Sequence, residues 1–343
     1  PTLRYDLDRD ELADLLADEP SYRVGQVFDG IHERGVDLDD LSNVPKALRQ
    51  RLADLLPVGL TPETESISDN GETVKWLWRL HDGHRIETVL MHYQDRTTVC
   101  VSSQAGCAMG CGFCATGQSG FDRHLSVGEI VEQVVRARRT SAPRRVSNIV
   151  FMGMGEPFAN YDRTWAAVER MHGALGLGAR HITISTVGVI PGIERLAGEA
   201  LPVNLAVSLH AANDDLRNEL VPINRQYPLA DLADSCERYL AAKNRRLSFE
   251  WALIDGTNDR PEDARELAVL CRRLRAHVNL IPLNPTPGYL TRGTPMSRVR
   301  AFRDELSDLG VNVTVRRTRG NEIDAACGQL SASRQVVAPP RRR

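Results

Sequence analysis

Three cysteines fall within eight residues in Cys107-Ala-Met-Gly-Cys111-Gly-Phe-Cys114, at C-x3-C-x2-C spacing. Thiolates are soft ligands, and a compact set of them selects zinc or an iron–sulfur cluster. A closed zinc site takes four protein ligands, commonly as two close cysteine pairs or a cysteine pair with a histidine pair. This run offers three, and no second C-x2-C pair occurs in the chain. Three thiolates suit a four-iron cubane with one iron left open to a small molecule, which makes the site reactive rather than structural. Zinc is the competing occupant. Three unligated core cysteines fit poorly, because Gly106, Gly110, Gly112 and Gly117 read as loop rather than packed helix or strand.

The spacing resembles the signature of the radical S-adenosylmethionine (SAM) enzymes, in which the open iron is chelated by the amino and carboxylate groups of SAM. Such a run needs a scaffold, and from Thr97 the chain alternates strand and helix. Apolar runs predict strands over 97–103, 146–152, 181–186, 203–209, 247–254 and 277–283. Helices are expected from near Val127, Asp162, Gly192, Pro228, Pro261 and Ser297. Six strand–helix units imply a parallel sheet covered by helices, two units short of a closed eight-fold barrel.

Ligands of parallel α/β folds bind beyond the carboxyl ends of the strands. Those ends carry the cysteine run, then Met152-Gly-Met-Gly-Glu-Pro157, Ser185-Thr186, Ser208-Leu-His210, Asp255 and Asn284-Pro285. Glu156 suits an ammonium group, and Gly153 and Gly155 let the backbone approach a ligand closely. Ser185, Ser208 and Asn284 suit a carboxylate or ribose hydroxyls. His210 suits either a ligand or a neighbouring loop. Cys100 shares the polar face of its strand with Thr98 and Ser102. Cys327 lies between small residues near the C-terminus. Cys236 and Cys271 sit on apolar helix stripes and are expected in the core.

The rest of the chain is read as accessory. Residues 1–62 show helical periodicity and predict a small N-terminal helical domain; Lys46, Arg49 and Arg51 read as a solvated helix face. Residues 63–95 form a β-rich extension, with runs over 73–80 and 85–92 around Asp82-Gly83, a hairpin signal. Residues 96–330 form the partial barrel, and 331–343 a basic tail whose Arg341–Arg343 read as solvated. The net charge of −2 over 343 residues is not that of a globally basic nucleic-acid binder. RNA contacts must come from local groups, of which Arg316, Arg317 and Arg319 are candidates. Seven cysteines, an odd number, do not suggest a secreted disulfide framework. No apolar run approaches the roughly 20 residues that cross a bilayer. The expectation is a cytoplasmic protein without membrane contact.

Over almost its whole length the sequence resembles the RlmN family of dual-specificity RNA methyltransferases, with their relative Cfr. The resemblance rests on Cys100-Val-Ser-Ser-Gln-x-Gly-Cys107, the cluster run through Gly120-Phe121, and Met152-Gly-Met-Gly-Glu-Pro157. It continues in Ser208-Leu-His-Ala211, Val221-Pro-Ile-Asn224, Ile281-Pro-x-Asn-Pro285, Arg316-x-Thr-Arg-Gly320 and Asp324-Ala-Ala-Cys-Gly-Gln329. It implies a partial (β/α)6 TIM-like barrel, the radical SAM core, beside the helical domain and β extension. It also implies one [4Fe–4S] cluster on Cys107, Cys111 and Cys114. Gly155, Glu156, Ser185, Ser208, Leu209, His210 and Asn284 would bind SAM, used twice per turnover.

The implied reaction methylates carbon 2 of adenosine in 23S ribosomal RNA and in some transfer RNAs. That carbon is electrophilic, so a radical route replaces ordinary attack on a sulfonium methyl. Cys327 would carry the methyl group, Cys100 would resolve the protein–RNA adduct through a transient disulfide, and Glu87 would accept the ring proton. For Glu87, a structural ion pair is the competing reading. A flavodoxin-type electron donor and a monomeric state are further expectations. One alternative is a Cfr-like carbon-8 methyltransferase; another is a non-catalytic, zinc-stabilised RNA-binding protein.

Overall fold

The computed structural model describes residues 1–286, 289, 291–316, 319–326 and 328–330. Cys327, Arg317 and the 331–343 tail, named above, lie outside the described residues.

Three helices come first: α1 (Arg9–Leu15), α2 (Tyr22–Ile31) and α3 (Lys46–Leu55). Asp8 caps α1 by accepting from the Glu11 N–H, while the Glu11 carboxylate accepts from the Asp8 N–H, a reciprocal arrangement that satisfies two otherwise orphaned donors. The expected apolar positions Leu12, Val27, Phe28, Ile31, Leu48 and Leu52 are buried. They belong to the same apolar core as the rest of the protein.

Twelve strands and eight further helices follow among the described residues. The strands are β1 (Thr61–Ser68), β2 (Thr73–Arg79), β3 (Arg85–His92), β4 (Thr97–Cys100), β5 (Gln104–Gly106), β6 (Phe121–His124) and β7 (Asn148–Phe151), then β8 (Ile182–Thr186), β9 (Asn204–Ser208), β10 (Leu247–Leu253), β11 (His277–Pro282) and β12 (Val313–Val315). The helices are α4 (Ala115–Gln118), α5 (Val127–Ser141), α6 (Tyr161–Gly173), α7 (Ile190–Gly198), α8 (Asp214–Leu220), α9 (Leu229–Lys243), α10 (Pro261–Leu274) and α11 (Met296–Asp308). The main sheet runs β1-β2-β3-β4-β7-β8-β9-β10-β11-β12, with β1 and β12 as its edges. Strands β4 and β7 to β12 pair in parallel, as the strand–helix alternation requires.

Three findings refine the reading of the sequence. The β extension is hydrogen-bonded directly onto the barrel, Val89 opposite Cys100 in an antiparallel pair, and so continues its sheet. A seventh parallel strand, β12, follows α11; its three residues are too few to show a period. The short hairpin β5–β6 brackets the cysteine run. At its neck the Cys107 N–H donates to the Gly120 carbonyl at 2.7 Å. A Cβ on Gly106, whose φ is +72°, would come within 2.1 Å of that carbonyl oxygen, so glycine is required there by both conformation and space.

Strand β4 ends three residues before its apolar run does, β7, β9, β10 and β11 end one residue before, and β8 ends with its run at Thr186. The residues released become side-chain and backbone anchors for the loops at that rim. No helix among the described residues is long and apolar enough to cross a membrane.

Candidate active site

The site begins where β4 stops. Ser102 donates its hydroxyl to the Glu87 carbonyl at 2.6 Å and accepts from the Met154 N–H at 2.9 Å. Gln133, from α5, accepts from the Ser102 N–H and donates to the Ser102 carbonyl. This fully satisfied buried network fixes the entry to the cysteine run against the Met152–Glu156 turn. The turn itself needs glycine. A Cβ on Gly153 would lie 2.6 Å from the Val101 carbonyl oxygen, and one on Gly155 (φ +99°) 2.5 Å from Gln104 Cβ.

Cys107, Cys111 and Cys114 line a cavity of about 150 Å³ at the carboxyl ends of the strands. Gly155, Glu156, Ser185, Ser208, His210 and Asn284 line the same cavity. The structure therefore gathers every sequence-derived cluster or SAM residue except Leu209 around one space. Leu209 is buried and takes part through its backbone: its N–H donates to the Glu250 carbonyl.

Glu156 is buried, and its two carboxylate oxygens accept from the Phe158 N–H at 3.0 Å and the Val187 N–H at 2.9 Å. Burial raises its pKa to about 7 despite these bonds. Each oxygen retains a lone pair for a ligand. The Ser185 and Ser208 hydroxyls are 3.4 Å apart. His210 adopts φ +61°, and its Nδ1 accepts from the Ala252 N–H at 2.9 Å. Its proton therefore sits on Nε2, and burial pushes its pKa down to about 3. The ring is a neutral donor, packed edge-on against Phe113.

Cys100 is buried and lines a second, smaller cavity with Arg319, Ala325 and Ala326. Met152, Ile281, Asn284, Arg316 and Leu330 line both cavities, so the two are neighbours across a shared wall. Glu87 lines neither. It is buried and pairs with Lys75 at 3.1 Å, and the Lys75 ammonium also donates to the Asp324 carbonyl. Arg319 donates to the His92 carbonyl at 2.7 Å and stacks over Tyr93. Arg316 faces the first cavity, with Glu250 at 4.0 Å.

Two residues of the site, one in the cavity wall and one behind it, escaped the sequence reading. Glu250, in β10, is buried and lines the first cavity. Its Oε1 accepts from Asn279 at 2.8 Å, whereas no hydrogen-bond donor among the described residues reaches Oε2. A lone carboxylate inside the apolar run Phe249-Glu-Trp-Ala-Leu253 was the available signal. Arg217, behind the rim loops, gave none, because α8 is short and mixed in charge.

Comparison with known proteins agrees with this architecture. The Radical SAM superfamily model matches residues 101–268, and the ribosomal RNA large subunit methyltransferase N-terminal domain model matches residues 5–58. A Chloroflexus aurantiacus protein named probable dual-specificity RNA methyltransferase RlmN is 51% identical, covering 97% of this chain and 93% of its own. A Parafrankia protein of the same name is 50% identical, with 95% and 92% covered. A crystal structure of a radical SAM methyltransferase from Sphaerobacter thermophilus superposes with a TM-score of 0.94 at 51% identity, covering 97% of this chain and all of that one. This chain belongs to the RlmN family.

Radical SAM membership implies a [4Fe–4S] cluster and SAM, and the donor set fits them. Three thiols share one cavity, and burial pushes Cys107 up to about 12 and Cys111 higher still. Such thiols ionise when a metal centre supplies positive charge. Among the described residues no three His, Cys, Asp or Glu are gathered closely enough to hold a single metal ion. The cavity thus offers three thiols, the carboxylates of Glu156 and Glu250, and several hydroxyl and amide groups in one space.

Proposed function

We propose that this radical SAM RNA methyltransferase methylates carbon 2 of adenosine, in 23S ribosomal RNA and in some transfer RNAs. Family membership supports RNA as the substrate class: the relatives at 50% and 51% identity carry the name dual-specificity RNA methyltransferase. The observation that carries the reading further is the pair of adjoining cavities. One holds the three thiols and the SAM-type polar groups, and the other holds Cys100. Gly328 lines the first and Ala326 the second, so the described neighbours of Cys327 belong to both.

Cys107, Cys111 and Cys114 would hold one cluster, and Gly155, Glu156, Ser185, Ser208, Leu209, His210 and Asn284 would hold SAM, two molecules per turnover. When bound, these groups supply the one-electron chemistry that an electrophilic ring carbon requires. Glu156 accepts from the amino group, His210 donates from Nε2, and the buried walls exclude water. Cys327, as a thiolate, accepts the methyl group that is passed to the base. Glu87 accepts the ring proton, its carboxylate held by Lys75. The Cys100 thiolate would attack the Cys327 sulfur, the bond from that sulfur to the transferred carbon would break with its electron pair passing to the carbon and base, the carbon would take up a proton to complete the methyl group, and a disulfide would remain to be reduced later. The target base leaves its stack to reach the cavity. The electron donor is of flavodoxin type, and the protein acts as a cytoplasmic monomer. The division of the chain at about residues 62 and 95 is part of the same proposal.

Two variants test the cysteine roles. Cys327→Ala retains four irons per chain and loses methylation. Cys100→Ala accumulates a covalent protein–RNA adduct, visible as a shifted band in denaturing electrophoresis. Normal turnover by either variant refutes the assignment.

A further inference from the structure

The block Val221-Pro-Ile-Asn224 has no part in the chemistry above, yet it surrounds an unusual charge. Arg217, on α8, is 0% exposed. Its Nε donates to the Leu209 carbonyl at 3.0 Å, and Nη1 to Asn224 Oδ1 at 2.7 Å. Nη2 donates to the carbonyls of Val187 at 2.6 Å and Ser208 at 3.4 Å. Every acceptor is neutral, and among the described residues Arg217 makes no ion pair. Asp214 reaches it only through Asn224, whose Nδ2 donates to Asp214 Oδ1 at 2.8 Å. Burial holds the guanidinium down to about 10. A cation taken out of water is costly unless an anion stands near it.

The anion is found by following the chain. Leu220 and Val221 pack with Cys111 and Phe113 in a small apolar cluster separate from the main core. A Cβ on Gly110, in the cysteine run, would lie 4.0 Å from Pro222 Cγ. Leu216, the neighbour of Arg217 on α8, packs against the same cluster. The carbonyls it holds, those of Val187 and Ser208, belong to cavity-lining residues. Arg217 thus stands directly behind the rim that lines the cavity of the three thiols, which are anionic when they hold a metal centre.

We propose that Arg217 is the fixed counter-charge of the iron–sulfur site, oriented by Asn224 and the rim carbonyls, and that it raises the reduction potential there. The inference rests on the assignment of Cys107, Cys111 and Cys114 as cluster ligands. One-electron reduction adds a negative charge among these thiolates, and a buried cation beside them favours that state. Arg217 touches neither substrate nor reacting atoms; it is a positioning residue, and Val221-Pro-Ile-Asn224 is the frame that keeps it in place.

The test is a dithionite redox titration of the anaerobically reconstituted full-length protein, read by electron paramagnetic resonance, with iron counted per chain. Arg217→Gln keeps hydrogen-bonding capacity without charge. It is expected to retain four irons and to shift the reduction equilibrium at least tenfold toward the oxidised state, about 59 mV for a one-electron couple. Arg217→Lys is expected to restore most of that shift. A role confined to tying the rim loops together predicts an unchanged potential in Arg217→Gln, which overturns the proposal. Asp214→Asn provides a second arm that leaves Arg217 in place. Removing the remote counter-charge is expected to shift the equilibrium at least twofold toward the reduced state, and no shift, or the opposite one, overturns the proposal. If the wild-type protein itself binds no four-iron cluster, the ligand assignment falls first, and this inference with it.

Discussion

A carboxylate as deeply buried as that of Glu156 holds its proton more tightly than one in water. Its pKa is raised to about 7 by burial, so below that value the folded protein holds it protonated. A ligand ammonium group is bound by the ionised form. Affinity for S-adenosylhomocysteine, which carries the same amino group, is therefore expected to rise about tenfold per pH unit up to about 7 and to level off above it. Glu156→Gln is expected to lose about 1.5–3 kcal/mol of binding, the usual worth of a hydrogen bond to a charged group, and to flatten the profile. Calorimetric titration at several pH values checks both. A profile that stays unchanged in the variant would contradict the assignment. At this scale the sequence was informative where residue type and position were both unusual: three cysteines in a glycine-rich run, Glu156 at a strand end. Glu87 was named through the resemblance alone, with an ion pair as the competing reading, because its pairing with Lys75 spans two strands; on Arg217, whose burial depends on how α8 docks, the sequence was silent.

Among the elements, the β5–β6 hairpin is the one that brackets the three cysteines proposed as cluster ligands. Gly106→Ala would force its Cβ against the Gly120 carbonyl, opening the neck that holds Cys107. The expected outcome is a folded chain, judged by an unchanged circular dichroism spectrum, with much less iron per chain after reconstitution. Full iron loading would show that the hairpin does not set the ligand geometry. The hairpin could not be read beforehand, since strands of three and four residues carry no periodic signal. The helices and long barrel strands were legible for the opposite reason: their apolar stripes repeat often enough to show. Helix α2 ends against His32, which is buried, stacked on Phe28 and edge-on to Tyr5. Its Nδ1 bonds to the Phe28 carbonyl, and its buried Nε2 has no partner among the described residues. Burial, with Arg170 nearby, depresses its pKa from 6.5 to about 3. The unfolded chain takes up that proton below about pH 6.5 and the folded one does not. The stability it contributes is thus complete above 6.5 and is lost at about 1.4 kcal/mol per pH unit as pH falls toward 3. His32→Leu is expected to lower the slope of stability against pH by about one proton in urea denaturation between pH 4.5 and 6.5. An unchanged slope would place the ionisation elsewhere.

For the whole molecule, the arrangement is one sheet carrying two adjoining cavities. The parallel strands deliver the thiols and polar groups to one rim, while the antiparallel extension puts β3, which carries Glu87, beside the strand that holds Cys100, with Lys75 one strand further out on β2. The strand–helix alternation predicted the barrel, but the continuity of the extension with it depends on pairing between residues that are far apart in function and near in register, such as Val89 and Cys100. A central negative charge balance overall, with net charge −2, leaves recognition of RNA to local groups. Arg316 and Arg319 are partly turned inward, toward Glu250 and Tyr93. The account as a whole claims that this scaffold puts a methyl group on an adenine ring carbon. Nucleoside mass spectrometry of protein-free 23S ribosomal RNA, treated with the reconstituted enzyme, SAM and a reductant, tests it most directly. The predicted product is 2-methyladenosine; 8-methyladenosine as the sole product, or unmodified adenosine with an intact cluster, would contradict it.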